Sequence, residues 1–307
     1  MVGSVTAKCG GKLPEWSPHA DDTRTAKTPV VVESPSSPSN PEARPAADET
    51  PLAGRCWREW LRRWGQHGLE FLYPPACRLC GEELPPQLDL DPDRSFCPSC
   101  RDELCTDAAA GCERCGAPVG PFLVSTNGCR HCHGHQFAFA TVLRLGGYKG
   151  AIKSAVLHSK QRGAEGLLVG LADLVWRRNA AELQQLAPDL VIPIPHNARQ
   201  AIFRPHNPAA ILGEAWAERL RCRWQPRALV KTRWTEAQAR LRPIERRENQ
   251  KGVFTVRPRT VPPGATVLLA DDVLTTGSTA HEAALALRAA GAARVVVAVI
   301  ARGLGRD

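Results

Sequence analysis

Two textures follow one another along this chain of 307 residues. From Phe137 onward, short continuous apolar runs alternate with stretches whose apolar residues recur at helical spacing. Thr141–Leu145, Asp189–Ile194, Thr266–Ala270 and Arg294–Ile300 read as strands, with a further short one at Val253–Val256. Ile152–Ser159, Gly166–Leu186, Pro208–Leu220 and Thr279–Ala290 read as helices, the last closed by Gly291. Strands alternating with helices predict an α/β fold with a mostly parallel sheet.

Upstream of Phe137 this periodicity is missing. Residues 1–55 contain eight prolines, among them the run SPSSPSNPEARP from Ser34 to Pro45, and a single aromatic residue, Trp16. Such a segment cannot bury enough apolar area to offset its ordering entropy, so a disordered tail is expected. Met1 is the only methionine, so no internal Met marks another start. Trp57, Trp60, Leu61 and Trp64 then recur at helical spacing, followed by Leu69, Phe71 and Leu72. They predict an amphipathic helix ended by Pro74–Pro75 that packs on the domain behind it. Three parts result: a tail over 1–55, a helix with a Cys-rich module over 56–136, and an α/β domain over 137–307.

Composition narrows the class. Hydrophobic residues at 43% and charged residues at 23% exclude a wholly disordered or collagen-like chain. No stretch approaches the ~18 apolar residues of a membrane span, and no apolar secretory core opens the chain. A cytoplasmic location is therefore expected, where thiols stay reduced. There twelve cysteines read as metal ligands rather than disulfides.

Eight of them form four Cys-x-x-Cys pairs: Cys77/Cys80, Cys97/Cys100, Cys112/Cys115 and Cys129/Cys132. A two-residue gap lets one tight turn present both sulfurs to one ion, and two such pairs close a tetrahedral shell about Zn²⁺. Two structural zinc sites are expected. The spacings favour consecutive pairing, with an interleaved arrangement as the alternative. His131 and His133 flank Cys132 as substitute ligands, and Cys9, Cys56, Cys105 and Cys222 fall outside the pattern.

The stretch Val267–Ala280, VLLADDVLTTGSTA, carries the most chemistry. An apolar strand delivers Asp271 and Asp272 at its carboxyl end, where ligands of open parallel sheets bind. Thr275, Thr276, Gly277, Ser278 and Thr279 then open a helix, whose free N–H groups and neighbouring hydroxyls suit a phosphate. Thr279 and Glu282 have capping-box spacing. Adjacent carboxylates suit the vicinal hydroxyls of a ribose and a Mg²⁺ held by a diphosphate. Acidic pair and phosphate loop together describe a 5-phosphorylated ribose. Neither a Walker A pattern nor a dinucleotide fingerprint is present.

LLADDVLTTGST resembles the 5-phosphoribosyl-1-diphosphate (PRPP) motif of type I phosphoribosyltransferases, and the region from Cys77 to Arg302 resembles the ComF family. Also matching in order are Tyr148-Lys149-Gly150 with Lys160, Val191-Ile192-Pro193-Ile194-Pro195, Arg204-x-x-Asn207, Thr235-x-x-Gln238-x-x-Leu241, Arg246-x-x-Asn249, and Gly291-Ala-x-x-Val295. Where that family has Arg-Gly-Phe-Asn, this chain has Arg204-Pro205-His206-Asn207, and the proline fixes φ and removes a donor.

The resemblance implies a type I phosphoribosyltransferase fold behind a double zinc ribbon. It casts Asp271 and Asp272 as the catalytic pair that holds the ribose hydroxyls and helps place Mg²⁺, with Thr275 to Thr279 on the 5-phosphate. Pro195–Arg199 would bind pyrophosphate, and the stretch from Lys231 to Asn249 would form a flap. The implied chemistry is displacement of Mg-pyrophosphate from ribose C1, to which the protein contributes positioning and electrostatics.

Charge adds a second face to this picture. The chain carries +9, but residues 196–259 hold fifteen Lys/Arg against five Asp/Glu, so the surplus is local. Lys160, Arg199, Arg204, Arg233, Arg246 and Arg247 are the candidate diphosphate donors. The resemblance also points to DNA uptake in natural transformation. A non-catalytic alternative is therefore a zinc-ribbon protein that binds single-stranded DNA and uptake proteins through the basic face, with Trp216, Trp224 and Trp234 as stacking candidates. Glutamine-dependent amidophosphoribosyl transfer is excluded, since it requires an N-terminal nucleophilic cysteine and a glutaminase domain.

Overall fold

The computed structural model describes residues 75–84, 95–107, 111–119, 128–196, 206–232 and 252–304, all within one compact unit. The proline-rich segment 1–55 and the helix expected over Trp57–Leu72 lie outside the described residues. Among the described residues, no helix is long and apolar enough to cross a membrane.

The chain runs through α1 (Pro98–Cys105), β1 (Val142–Gly147), α2 (Gly150–His158), α3 (Glu165–Arg178), α4 (Ala180–Leu186), β2 (Leu190–Pro193), α5 (Pro208–Leu220), β3 (Arg223–Trp224), β4 (Leu229–Lys231), β5 (Phe254–Val256), β6 (Thr266–Leu274), α6 (Ser278–Ala289) and β7 (Arg294–Arg302). The expected single helix Gly166–Leu186 is two. Asn179 separates α3 from α4, its Nδ2 donating to the Val175 carbonyl at 2.7 Å and the Arg144 carbonyl at 3.2 Å. An amide side chain that bonds the backbone this way competes with the helical ladder.

Five strands form one wholly parallel sheet in the order β1-β7-β6-β2-β3, while β4 and β5 make a separate antiparallel pair. Every position of β1 and β2, and all but the first of β7, is buried. Strands covered on both faces need no polar alternation, which explains their continuous apolar runs.

Side chains alternate between two cores. Leu268, Ala270, Val296, Ala298 and Ile300 join α2, α3 and α5 in one. Val267, Leu269, Val295, Val297 and Val299 join α6 and the β4–β5 pair in the other. This period-two division is the ordinary consequence of strand geometry. Strand β6 does not stop at Ala270, as the apolar run suggested, but stays paired with β7 through Leu274↔Arg302. The acidic pair therefore lies inside the strand.

Candidate functional site

Two clusters of four cysteines form: Cys77, Cys80, Cys97 and Cys100, and Cys112, Cys115, Cys129 and Cys132. The pairing is consecutive. In each, the ligand atoms lie within 4.8 Å of one another. The Sγ–Sγ separations are 3.8 Å for Cys80–Cys97, 3.8 Å for Cys112–Cys132 and 3.6 Å for Cys115–Cys129. A tetrahedron with Zn–S bonds of about 2.3 Å has edges of about 3.8 Å, so the sulfurs fit the ion in type, number and spacing.

Both first knuckles are built alike. The N–H groups of Cys77 and Gly81 bond to the carbonyls of Glu82 and Cys77, and those of Cys112 and Gly116 to the carbonyls of Ala117 and Cys112, all at 2.7–2.8 Å. Backbone N–H donors outweigh the cost of burial at the leading thiols, lowering Cys77 to about 6 and Cys112 to about 7, whereas burial pushes Cys100 and Cys115 up. A closed four-thiolate shell leaves no open coordination position, so these centres hold structure rather than perform catalysis.

The site suggested by VLLADDVLTTGST sits at the end of β6. Asp271 and Asp272 follow the buried run Val267–Ala270, and their carboxyl groups lie close enough to hydrogen-bond each other. Lys160, just beyond α2, places its Nζ 3.3 Å from Asp272 Oδ2. Lys231, at the end of β4, is depressed to about 8 by burial, with Asp271 opposing the shift. Burial holds the Asp271 carboxyl well above the usual carboxylate range, and neighbouring Asp272 adds to this while Lys160 counters it. Each carboxylate also accepts the next backbone N–H, Asp271 Oδ1 from Asp272 at 2.9 Å and Asp272 Oδ1 from Val273 at 2.8 Å.

The hydroxyl loop follows directly. Thr276 Oγ1 and Ser278 Oγ lie 2.9 Å apart. Gly277, at φ +78°, is the N-cap of α6. The capping box between Thr279 and Glu282 does not form: the helix begins at Ser278 without a side-chain cap, and Glu282 Oε2 instead accepts the Gly252 N–H at 2.8 Å. A Cβ at Gly277 would stand 3.0 Å from the Phe137 ring. Both the left-handed φ and the aromatic neighbour thus require glycine.

Phe137 stacks on Phe139 with ring centroids 4.6 Å apart. The Ala138 N–H donates to His281 Nδ1 at 3.0 Å, which assigns the imidazole proton to Nε2. Gly134–Phe137 on one side and Thr276, Ser278, His281 and Glu282 on the other enclose a cavity of about 240 Å³.

Among the candidate diphosphate donors, Lys160 reaches the acidic pair, while Arg199, Arg204, Arg233, Arg246 and Arg247 lie outside the described residues. Asn207 caps α5, its Oδ1 accepting from Ala209 at 3.1 Å and its Nδ2 donating to the Ile194 carbonyl at 3.1 Å. His206 Nε2 lies 3.1 Å from the Ser159 carbonyl, and its Nδ1 stands 3.1 Å from Glu165 Oε1 without hydrogen-bond geometry. The stacking candidates fare differently. Trp216 is wholly buried, with Nε1 bonded to the Ala172 carbonyl at 3.0 Å, and Trp224 packs over Gly213. Trp216 is therefore not free to receive a base, Trp224 is half-buried, and Trp234 lies outside the described residues.

Sequence reasoning missed two residues. Lys231 was read only as the edge of a flap. Arg302, which is 4% exposed at the end of β7, was not read at all. Its Nε donates to the Cys115 carbonyl at 2.8 Å and its Nη1 to the Leu274 carbonyl at 3.1 Å, and Nη1 also reaches the Thr275 and Gly303 carbonyls. The only available signal was a charge at the end of an apolar strand.

Both modules match known protein families. The double zinc ribbon domain matches residues 68–133, and the phosphoribosyl transferase domain matches residues 228–306. DNA utilization protein YhgH of Escherichia coli O6:H1 is 34% identical over 135 residues, which cover 44% of this chain and 57% of that protein. The K12 protein of the same name is 33% identical over the same shares. The Salmonella typhi protein is 27% identical over 198 residues, 63% of this chain and 84% of that one. The chain thus spans little more than half the length of the Escherichia coli relatives it matches.

Proposed function

We propose, for a chain that is ComF-like in carrying a double zinc ribbon and a phosphoribosyltransferase domain, that it binds a 5-phosphoribosyl ligand of the PRPP type and acts in DNA uptake. One observation supports the ligand above all: an acidic pair in the last half of β6, flanked by Lys160 and Lys231, is separated by only Val273 and Leu274 from a hydroxyl and glycine loop at the N-terminus of α6. The arrangement offers carboxylates to ribose hydroxyls, N–H and O–H donors to a phosphate, and ammonium groups to a diphosphate.

The acidic pair also fits Mg²⁺, since its carboxylates are hard oxygen donors. Bound there, the cation would neutralise diphosphate charge. The chain's own contribution is placement. Asp271 and Asp272 orient the ribose, Thr275, Thr276, Ser278 and Thr279 hold the phosphate, and Arg199, Arg204, Arg233, Arg246 and Arg247 are assigned to the diphosphate. The role in DNA uptake is proposed from the likeness to DNA utilization protein YhgH and from the basic surplus of residues 196–259.

Calorimetry with PRPP and Mg²⁺ tests the reading. Saturable binding that Asp271→Ala/Asp272→Ala abolishes is expected, and absence of binding to the intact protein overturns it. The second reading, a non-catalytic single-strand binder, also rests on the basic surplus. Its affinity for a single strand should fall steeply with salt and weaken in Arg246→Ala/Arg247→Ala. Salt-independent affinity, unchanged in that variant, would refute it.

A further inference from the structure

Three ties run from the second cysteine cluster and the segment just after it to the loop ahead of α6 and the first turn of that helix. The first is Arg302, a buried guanidinium with one nitrogen on the carbonyl of a metal-ligand residue, Cys115, and another on the carbonyls of Leu274 and Thr275. The second is Phe137, which follows the last ligand by five residues and packs against Gly277. The third is the bond from Ala138 N–H to His281 Nδ1. The first cluster is placed otherwise, its Arg78, Ser95 and Phe96 lying against Gly166 and Gly170 of α3.

A guanidinium is a rigid planar fork, so carbonyls on its two sides hold a fixed relation to one another. Four thiolates about a divalent ion carry net negative charge, which gives the buried cation a counter-charge on the side of Cys115. Release of metal would free the Cys115 knuckle, and with it one end of the fork. Carbonyl acceptors at Leu274 and Thr275 would then lose the partner that sets the start of the loop.

We propose that Arg302 is a positioning residue that couples the second Cys₄ centre to the loop Thr275–Thr279, so that metal at the centre and a phosphorylated ligand at the loop stabilise each other. The ligand half of this statement rests on the phosphate reading given above; the mechanical half does not. Such coupling is reciprocal, and couplings between sites typically amount to 5–150-fold.

The test uses the full chain loaded with two zinc ions. Amide hydrogen exchange is followed at residues 274–281, and affinity for ribose 5-phosphate is measured by calorimetry. Arg302→Met, which has no donors, should raise loop exchange and weaken ribose 5-phosphate by about ten-fold. Arg302→Lys, which keeps the charge and part of the bonding, should recover part of both. Cys115→Ser should raise loop exchange as Arg302→Met does, and the double variant should add little, because both changes break one connection.

Cys80→Ser, at the exposed ligand of the first cluster, is the control and should leave the loop protected. Should Arg302→Met fail to fold, the contrast between Cys115→Ser and Cys80→Ser still decides. Unchanged loop exchange in Cys115→Ser, or an equal rise in Cys80→Ser, overturns the coupling. If the wild type does not bind ribose 5-phosphate, the phosphate reading fails, while hydrogen exchange still judges the strut.

Discussion

The first ribbon, Cys77–Cys100, and the second, Cys112–Cys132, share a knuckle geometry yet join the α/β domain in opposite ways. Cys77, Cys97 and Cys100 belong to the large core, together with Leu84, Phe96, Leu104 and the buried face of α3. The second ribbon's cysteines form a small cluster with Ala117 and Val119, against which Phe137 packs, and Arg302 ties them to β7 and the loop. Apolar docking spreads its free energy over many weak contacts and tolerates small shifts. A buried guanidinium concentrates it in a few directional bonds that transmit displacement. One ribbon is therefore suited to stabilise the fold, and the other to set the geometry of the site.

Breaking the first ribbon should have the largest effect. Loss of a thiolate in Cys97→Ser opens both a metal shell and the core around α3, so several kcal/mol of stability should go, consistent with apparent zinc affinities of ~10–16 kcal/mol in small zinc modules. A lowered thermal midpoint, with loss of one zinc by metal analysis, would verify this. Gly170→Ala tests the docking alone. Its Cβ would fall 2.5 Å from Ser95 Cβ and 2.9 Å from the Phe96 ring, so about 1–3 kcal/mol of overpacking is expected with both metals retained.

Gly277→Ala is the matching test on the other side. It forces a left-handed φ and a 3.0 Å contact with Phe137, so a cost of about 1 kcal/mol in chemical denaturation should accompany weaker binding of ribose 5-phosphate. A loss of stability without any loss of affinity would remove the second ribbon from the site.

The smallest effect is on pH. The Asp271 carboxyl is raised in the folded state, so its stabilising contribution is present below the unfolded pKa of about 4 and is lost as pH climbs through the folded value. Asp271→Asn should flatten that part of a plot of melting temperature against pH. Lys231, lowered to about 8, loses its charge as pH passes that value, so affinity for a diphosphate should decline there and Lys231→Arg should delay the decline.

Sequence patterning revealed what is local. A two-residue gap repeated four times depends only on turn geometry, and it predicted both the ligand sets and their consecutive pairing. Buried parallel strands announce themselves as apolar runs, and Pro208–Leu220 was legible because Asn207 and Pro208 mark its start. Patterning failed where a distant partner decides. Asn179 breaks a helix through a bond to Arg144, thirty-five residues away. Strand β6 extends through two carboxylates because β7 continues to pair with it, a register that overrides their low strand propensity. Glu282 has the right spacing for a cap, yet Gly252 takes it. Arg302 and Cys115 stand 187 residues apart, and no local signal links them.

The strand that carries the acidic pair also shapes how a ligand enters. The two carboxyl groups hydrogen-bond each other, burial favours the protonated form of Asp271, and the Lys160 ammonium stands 3.3 Å from Asp272. In electrostatic terms the strand end resembles a partly loaded ion exchanger rather than a bare anionic trap. A metal diphosphate that takes over the carboxylates would release that proton and free Lys160 beside the incoming anion. Entry would be an exchange of one set of cations for another at the same two carboxyl groups.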